Sequence, residues 1–189
     1  KFKKRKEIKK VFPSKIIVDF IFSKLNEKQK ILWMSWKDIK NPEAGGAELT
    51  THEYIKSLVQ KGYSVKLLTR KFTNSSIFEK IDNYNVIRCG NRFTVYIMAF
   101  IFFKFRLENE TDLIIDECNT VPFFSNLYSK KKIIFWIQQF AREVWFYQMA
   151  APFSYIGYFL EKIYLRIYKN IKTITFAKST KNDLIQLGF

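Results

Sequence analysis

Two cysteines, one histidine, six glycines and four prolines are few for 189 residues, and each shortage excludes something. Cys89 and Cys118 belong to no C-x-x-C pair, and His52 has no metal-ligand spacing to either. A disulfide scaffold and a structural zinc site are therefore not expected, and a reducing, cytosolic compartment fits. Glycine is too sparse to build G-x-G-x-x-G, and no G-K-[ST] occurs, which disfavours a dinucleotide-dependent oxidoreductase. The basic start is not followed by an apolar core and small-residue cleavage site, so no signal peptide is read. The longest weakly polar stretch, 144–160, contains Gln148, Pro152, Ser154 and Gly157 and is too short and interrupted to span a bilayer.

What the chain does have is apolar and basic. A hydrophobic fraction of 48% suffices for one sizeable core, and 20 Phe with 10 Tyr leave apolar surface for a partner. The formal charge of +16 is gathered at the two ends. Residues 1–30 carry 11 Lys/Arg against Glu7, Asp19 and Glu27, and residues 130–189 carry 10 against 3, while 31–129 is nearly balanced. Such a footprint suits an anionic membrane, nucleic acid or a phosphorylated substrate, although a generally lysine-rich composition produces it too. The chain divides into a basic N-terminal segment, 1–30, and a domain, 31–189. In the segment, Ser14 after Pro13 caps a short amphipathic helix over 14–25, which either lies on an anionic membrane or packs on its own domain.

From residue 31 strands and helices alternate. Residues 31–36 read as a buried strand and 49–60 as a helix closed by Lys61-Gly62. Further strands fall at 63–69, 85–89 (after the turn Asp82-Asn83), 113–115, 132–137 and 173–176. Residues 94–107 are strongly apolar and of mixed type, 122–129 is a short helix, 144–169 is an aromatic helical region broken near Pro152, and Ser179 caps a last helix ending at Gly188. This order indicates an α/β chain with a Rossmann-like, doubly wound and mainly parallel sheet.

Ligands of such sheets bind outside the carboxyl ends of the strands. Asp38, Gly45 and Gly46 follow the first strand, Glu117 and Asn119 follow the strand at 113–115, and Gln138, Gln139, Arg142 and Glu143 follow the strand at 132–137. All are expected on one rim, without an obvious nucleophile. Gly45-Gly46 at a strand-to-helix junction is either a tight turn or a means of presenting helix amides to phosphate or sugar oxygens.

The run Asn41-Pro42-Glu43-Ala44-Gly45-Gly46-Ala47-Glu48 after a first strand resembles the opening of the N-terminal domain in family four of the glycosyltransferases. These are retaining enzymes of two Rossmann-like domains, the GT-B fold. Residues 139–147 and the closing helix at 179–188 extend the likeness, which covers 31–189. It implies transfer of a sugar from a nucleotide-sugar donor to a glycan or lipid-linked acceptor, with no metal or other cofactor. It assigns Gly45 and Gly46 to the donor's diphosphate or the sugar in transit, where preorganised N–H groups stabilise developing charge. Asp38, Glu117, Asn119, Gln138, Gln139 and Arg142 are then the candidates for sugar or acceptor contact, and no catalytic residue is assigned.

The chain departs from the family in three respects. It has no two glutamates eight positions apart, a mark of the C-terminal donor domain, so that half is missing and these residues alone are not expected to catalyse transfer. Gln138 and Gln139 stand where many relatives carry a histidine, and amides hydrogen-bond but do not act as acid or base. Ala177 stands where relatives often carry serine.

Several side chains also have purely structural readings. Asp38 caps the loop, Glu48 complements the helix dipole, Arg142 pairs with Glu143, His52 lies at the surface, and the aromatics of 145–164 fill a core or form a groove or membrane face. The expected location is the cytoplasm, peripheral at the inner face of the cell membrane. The alternative function is a non-enzymatic basic module for an anionic polymer, nucleic acid or membrane. Basic residues gathered at the chain ends, without an RNP-like motif or helix-turn-helix, argue against nucleic acid.

Overall fold

The computed structural model describes residues 29–142, 144–148 and 150–189. The helix expected at 14–25 and Glu143 lie outside the described residues. Seven strands, β1 (Lys30–Met34), β2 (Ser64–Thr69), β3 (Phe78–Ile81), β4 (Tyr84–Arg88), β5 (Leu113–Cys118), β6 (Lys132–Ile137) and β7 (Lys172–Ile174), form one sheet. Its order is β3-β4-β2-β1-β5-β6-β7, parallel throughout except for β3 against β4. The connections carry α1 (Gly46–Gln60), α2 (Val95–Phe102), α3 (Ser125–Tyr128), α4 (Val144–Gln148), α5 (Phe153–Tyr168) and α6 (Lys178–Gln186). The fold is thus the α/β, Rossmann-like, doubly wound sheet expected. The mixed segment at 94–107 resolves into α2 continued by a π-helical turn, Phe103–Leu107.

Helices on both faces explain why β6 and the first half of β5, Leu113-Ile114-Ile115, read as continuous apolar runs. On the first face Ile31, Trp33, Ile115 and Trp136 pack beneath Tyr54, Ile55 and Leu58 of α1. Trp33 and Trp136 meet edge to face, with ring centroids 4.9 Å apart. On the second face Leu32, Met34 and Ile114 lie under Val95, Ala99 and Phe103, and Phe135 and Ile137 lie under Tyr164, Leu165 and Tyr168 of α5.

Two elements differ from expectation. β3 is not legible because only Ile81 of its four residues is buried, as befits an edge strand. The Asp82-Asn83 turn joins it to β4 with φ of 42° and 69°, the left-handed pair that a tight hairpin needs. The cap of α6 is Ala177, not Ser179, because the chain leaves β7 extended and turns helical at Lys178. Among the described residues no helix is long and apolar enough to cross a membrane. Cys89 and Cys118 are buried and unpaired.

β1 lies between β2 and β5, so the strand order reverses there. A crevice at such a reversal, outside the carboxyl ends of the strands, is where these sheets bind ligands.

Candidate functional site at the carboxyl edge of the sheet

Side-chain oxygens shape the loop from β1 to α1. Lys40 N–H donates to Asp38 Oδ1 at 2.8 Å, and Glu43 N–H donates to Asn41 Oδ1 at 3.0 Å, two successive Asx turns. Arg70, just beyond β2, pairs with Glu43 at 2.5 Å and lies 4.9 Å over the Trp36 ring. The loop therefore delivers Gly45 and Gly46 to α1 in a fixed pose.

Neither glycine has a positive φ. Gly45 is extended, with φ −125° and ψ −152°. A Cβ on Gly45 would meet only Glu48 Oε2, at an ordinary 3.6 Å, and one on Gly46 would meet nothing within 4 Å. The tight-turn reading thus loses its conformational reason, and what the missing side chains leave is open space before the helix. The two amides differ. Gly45 N–H donates to Glu48 Oε2 at 2.6 Å, half of a capping box, which bears out the structural reading of Glu48. Gly46 and Ala47 are the first two helical residues, whose N–H groups have no acceptor within the helix and mark its positive end.

In front of that turn opens a cleft of about 490 Å³ lined by Gly46, Ala47, Thr50, Asn119, Gln138, Gln139, Phe176 and Ala177. Four of the expected residues, Gly46, Asn119, Gln138 and Gln139, meet here from the ends of β1, β5 and β6. The others do not share the rim. Asp38 is buried and paired with Arg88 through Nε to Oδ2 at 2.7 Å. Glu117 still belongs to β5 and points into the first-face core. It accepts from Trp33 Nε1 at 2.7 Å, Thr51 Oγ1 at 2.9 Å and Gln138 Nε2 at 2.8 Å. Burial pushes its pKa up to about 7, although those same hydrogen bonds pull it down. Gln138 therefore stands between the cleft and a buried carboxyl that fixes its amide.

Arg142 turns away, with φ 37°, and pairs with Asp183 of α6 at 2.7 Å. The loop behind it is held by Glu161 of α5, which accepts from the Ala141 and Arg142 amides at 2.8 and 2.7 Å and from Trp145 Nε1 at 3.2 Å. His52 is not a plain surface residue: its ring bonds Tyr84 Oη at 2.8 Å and faces Asp82 at 3.2 Å, bracing α1 against the hairpin.

Sequence reasoning missed Thr50 and Phe176. Thr50 is legible in hindsight, four residues after Gly46 and so on the same helical face. Phe176 is not, because its place depends on stacking with Tyr54 at 5.4 Å and meeting Trp136 edge-on at 4.8 Å. None of the eight lining residues titrates in the physiological range. The cleft offers helix amides, three side-chain amides, a hydroxyl and an aromatic floor, which suits an oxygen-rich ligand held by hydrogen bonds. Among the described residues no three His, Cys, Asp or Glu side chains are grouped to hold a metal ion.

No protein-family model matches the chain, and no curated protein matches it by sequence. Among solved structures it is similar to a sucrose-phosphate synthase from Thermosynechococcus elongatus, with a TM-score of 0.54 and 18% identity, over 78% of this chain and 47% of that one. The chain thus spans about half the length of that structure. At this identity the likeness is one of fold, and what the two share is the Rossmann-like, mainly parallel α/β architecture.

Proposed function

We propose that these residues form the acceptor-side half of a retaining, family-four glycosyltransferase of the GT-B type. The observation that carries the reading is Gly46, a glycine that neither backbone conformation nor packing requires, at a helix start that opens on the cleft. As the sugar's anomeric carbon parts from the leaving diphosphate, charge grows on the phosphate oxygen, and the Gly46 and Ala47 amides stabilise it. Asn119, Gln138 and Gln139 hold hydroxyls of the donor sugar or of a glycan or lipid-linked acceptor. Asp38 and Glu117 serve by holding the loop and Gln138, and Gly45 serves through its bond to Glu48. A second, donor-binding domain supplies the nucleotide site, no metal takes part, and these residues alone turn over no nucleotide sugar. The enzyme works at the cytoplasmic face of the cell membrane.

The test is a titration of the amide NMR spectrum with nucleoside diphosphates and a panel of nucleotide sugars, up to millimolar concentration. The reading expects shifts at the Gly46 and Ala47 amides and at the Gln138 and Gln139 side chains, lost in Gly46→Val. A folded protein whose cleft amides stay still with every ligand overturns it.

A further inference from the structure

The helices on the second face of the sheet are apolar outside as well as inside. α2 and its π turn expose Ile97 and Phe105, α3 exposes Leu127, and α5 exposes Ile156, Phe159 and Ile163. α1, on the first face, exposes only Leu49 among its large apolar residues. The asymmetry suits a partner that covers one side of the molecule.

α5 shows the pattern most fully. Ser154, Gly157, Glu161, Tyr164, Leu165 and Tyr168 face inward. Its outer side divides into two stripes at helical spacing. One is apolar: Ile156, Phe159, Leu160 and Ile163. The other, Tyr158, Lys162 and Arg166, continued by Lys169 just past the helix end, forms one wall of a groove of about 660 Å³ that is also lined by Phe140, Arg142 and Phe189. The one carboxylate in that lining, Glu161, is 3% exposed and already accepts the Ala141 and Arg142 amides and the Trp145 indole. Arg142 is offset by Asp183 at 2.7 Å, and Lys162 lies 4.8 Å over the Tyr158 ring. The exposed side of α5 therefore carries no acidic group of its own, and its cations border an apolar strip.

We propose that α5 docks on an anionic phospholipid surface, with the Phe159–Ile163 stripe entering the interface and Lys162, Arg166 and Lys169 meeting lipid phosphates at its edge. Long basic side chains beside an apolar helix face bind bilayers in this way, each cation adding to the attraction of anionic lipid. Charge decides against a second copy as the occupant. The chain carries +16, and two copies joined through this face would bring cationic grooves together. The inference stands whether or not the cleft transfers sugar.

Co-sedimentation of the whole chain with phosphatidylcholine vesicles, and with vesicles containing phosphatidylglycerol, tests it. Binding is expected to the anionic vesicles only and to weaken with salt. The pair Lys162→Glu/Arg166→Glu and the pair Phe159→Ser/Ile163→Ser should each lower the partition coefficient by about tenfold or more. Thermal midpoints should stay unchanged, because all four side chains are exposed. Three results overturn the proposal: no preference for anionic vesicles, wild-type binding by both paired variants (which places the contact elsewhere in the chain), or a dimer in sedimentation equilibrium that Phe159→Ser/Ile163→Ser dissociates.

Discussion

Arg88 grips Asp38 with two arms of its guanidinium, Nε to Oδ2 at 2.7 Å and Nη2 to Oδ1 at 3.1 Å, and neither side chain is exposed. The same guanidinium reaches Glu79 at 2.7 Å and the Ser76 carbonyl at 3.2 Å. Burial opposes the charge on Arg88, yet Asp38 and Glu79 outweigh it and its pKa is raised. One arginine at the end of β4 thus ties the β1–α1 loop to the β3–β4 hairpin.

Removing Asp38 takes two of the buried guanidinium's charged bonds and leaves it Glu79 as its one carboxylate, which costs up to about 3–5 kcal/mol. Asp38→Ala should lower the unfolding free energy by that order in urea titrations. Asp38→Ala combined with Arg88→Met should cost less than Asp38→Ala alone, because no buried guanidinium is left with only part of its partners. Equal losses in the two variants contradict this account of the pair.

Glu117 makes stability depend on pH. Its pKa is near its ordinary value when unfolded and about 7 in the fold, so the folded state binds the extra proton between roughly pH 4.5 and 7. Stability from this group therefore falls as pH rises through that window, by on the order of 3 kcal/mol in total. Glu117→Gln, which keeps an acceptor for Trp33 and cannot ionise, should flatten the profile. If wild type and Glu117→Gln change in parallel between pH 5 and 7.5, the raised pKa is refuted.

Gly157 is required by its neighbour. A Cβ there would stand 2.3 Å from Cε3 of Trp145. Gly157→Ala gains about 1 kcal/mol of helix propensity but overpacks the contact, at about 1–3 kcal/mol. The net sign should be destabilising, with Trp145 displaced from Glu161 and its fluorescence shifted. A variant as stable as wild type with unshifted emission speaks against the packing described.

Gly45 and Gly46 should behave in the opposite way. With room and no positive φ, Gly46→Ala should stay within about 0.5 kcal/mol of wild type or gain slightly, while Gly45→Ala, at the N-cap where glycine is preferred over alanine, should lose no more than about 1 kcal/mol. Gly46→Ala should nevertheless weaken ligand-induced shifts in the cleft. A large stability loss in either would return the pair to a structural role.

The alternation of β-rich apolar runs with helical ones was legible because strands buried on both faces need unbroken hydrophobicity. The runs at 113–115 and in β6 therefore announced a covered, parallel sheet. The glycine pair, Asn119 and Gln138-Gln139 were legible as strand-end residues for the same reason, since chain order alone puts them at one edge. β3 was not, because an edge strand buries little and leaves no run to read.

Only the tertiary structure decided which polar residues face the cleft. Asp38 and Glu117 sit at strand ends like their neighbours, but each has a partner far away in sequence, Arg88 for one and Trp33 with Thr51 for the other, that draws it into the interior. A buried carboxylate is stable only where such donors converge, and convergence across 50 or 84 residues is invisible in local pattern. Hydrophobic periodicity, a local property, determined the architecture, while the direction of each charged side chain was decided by long-range pairing.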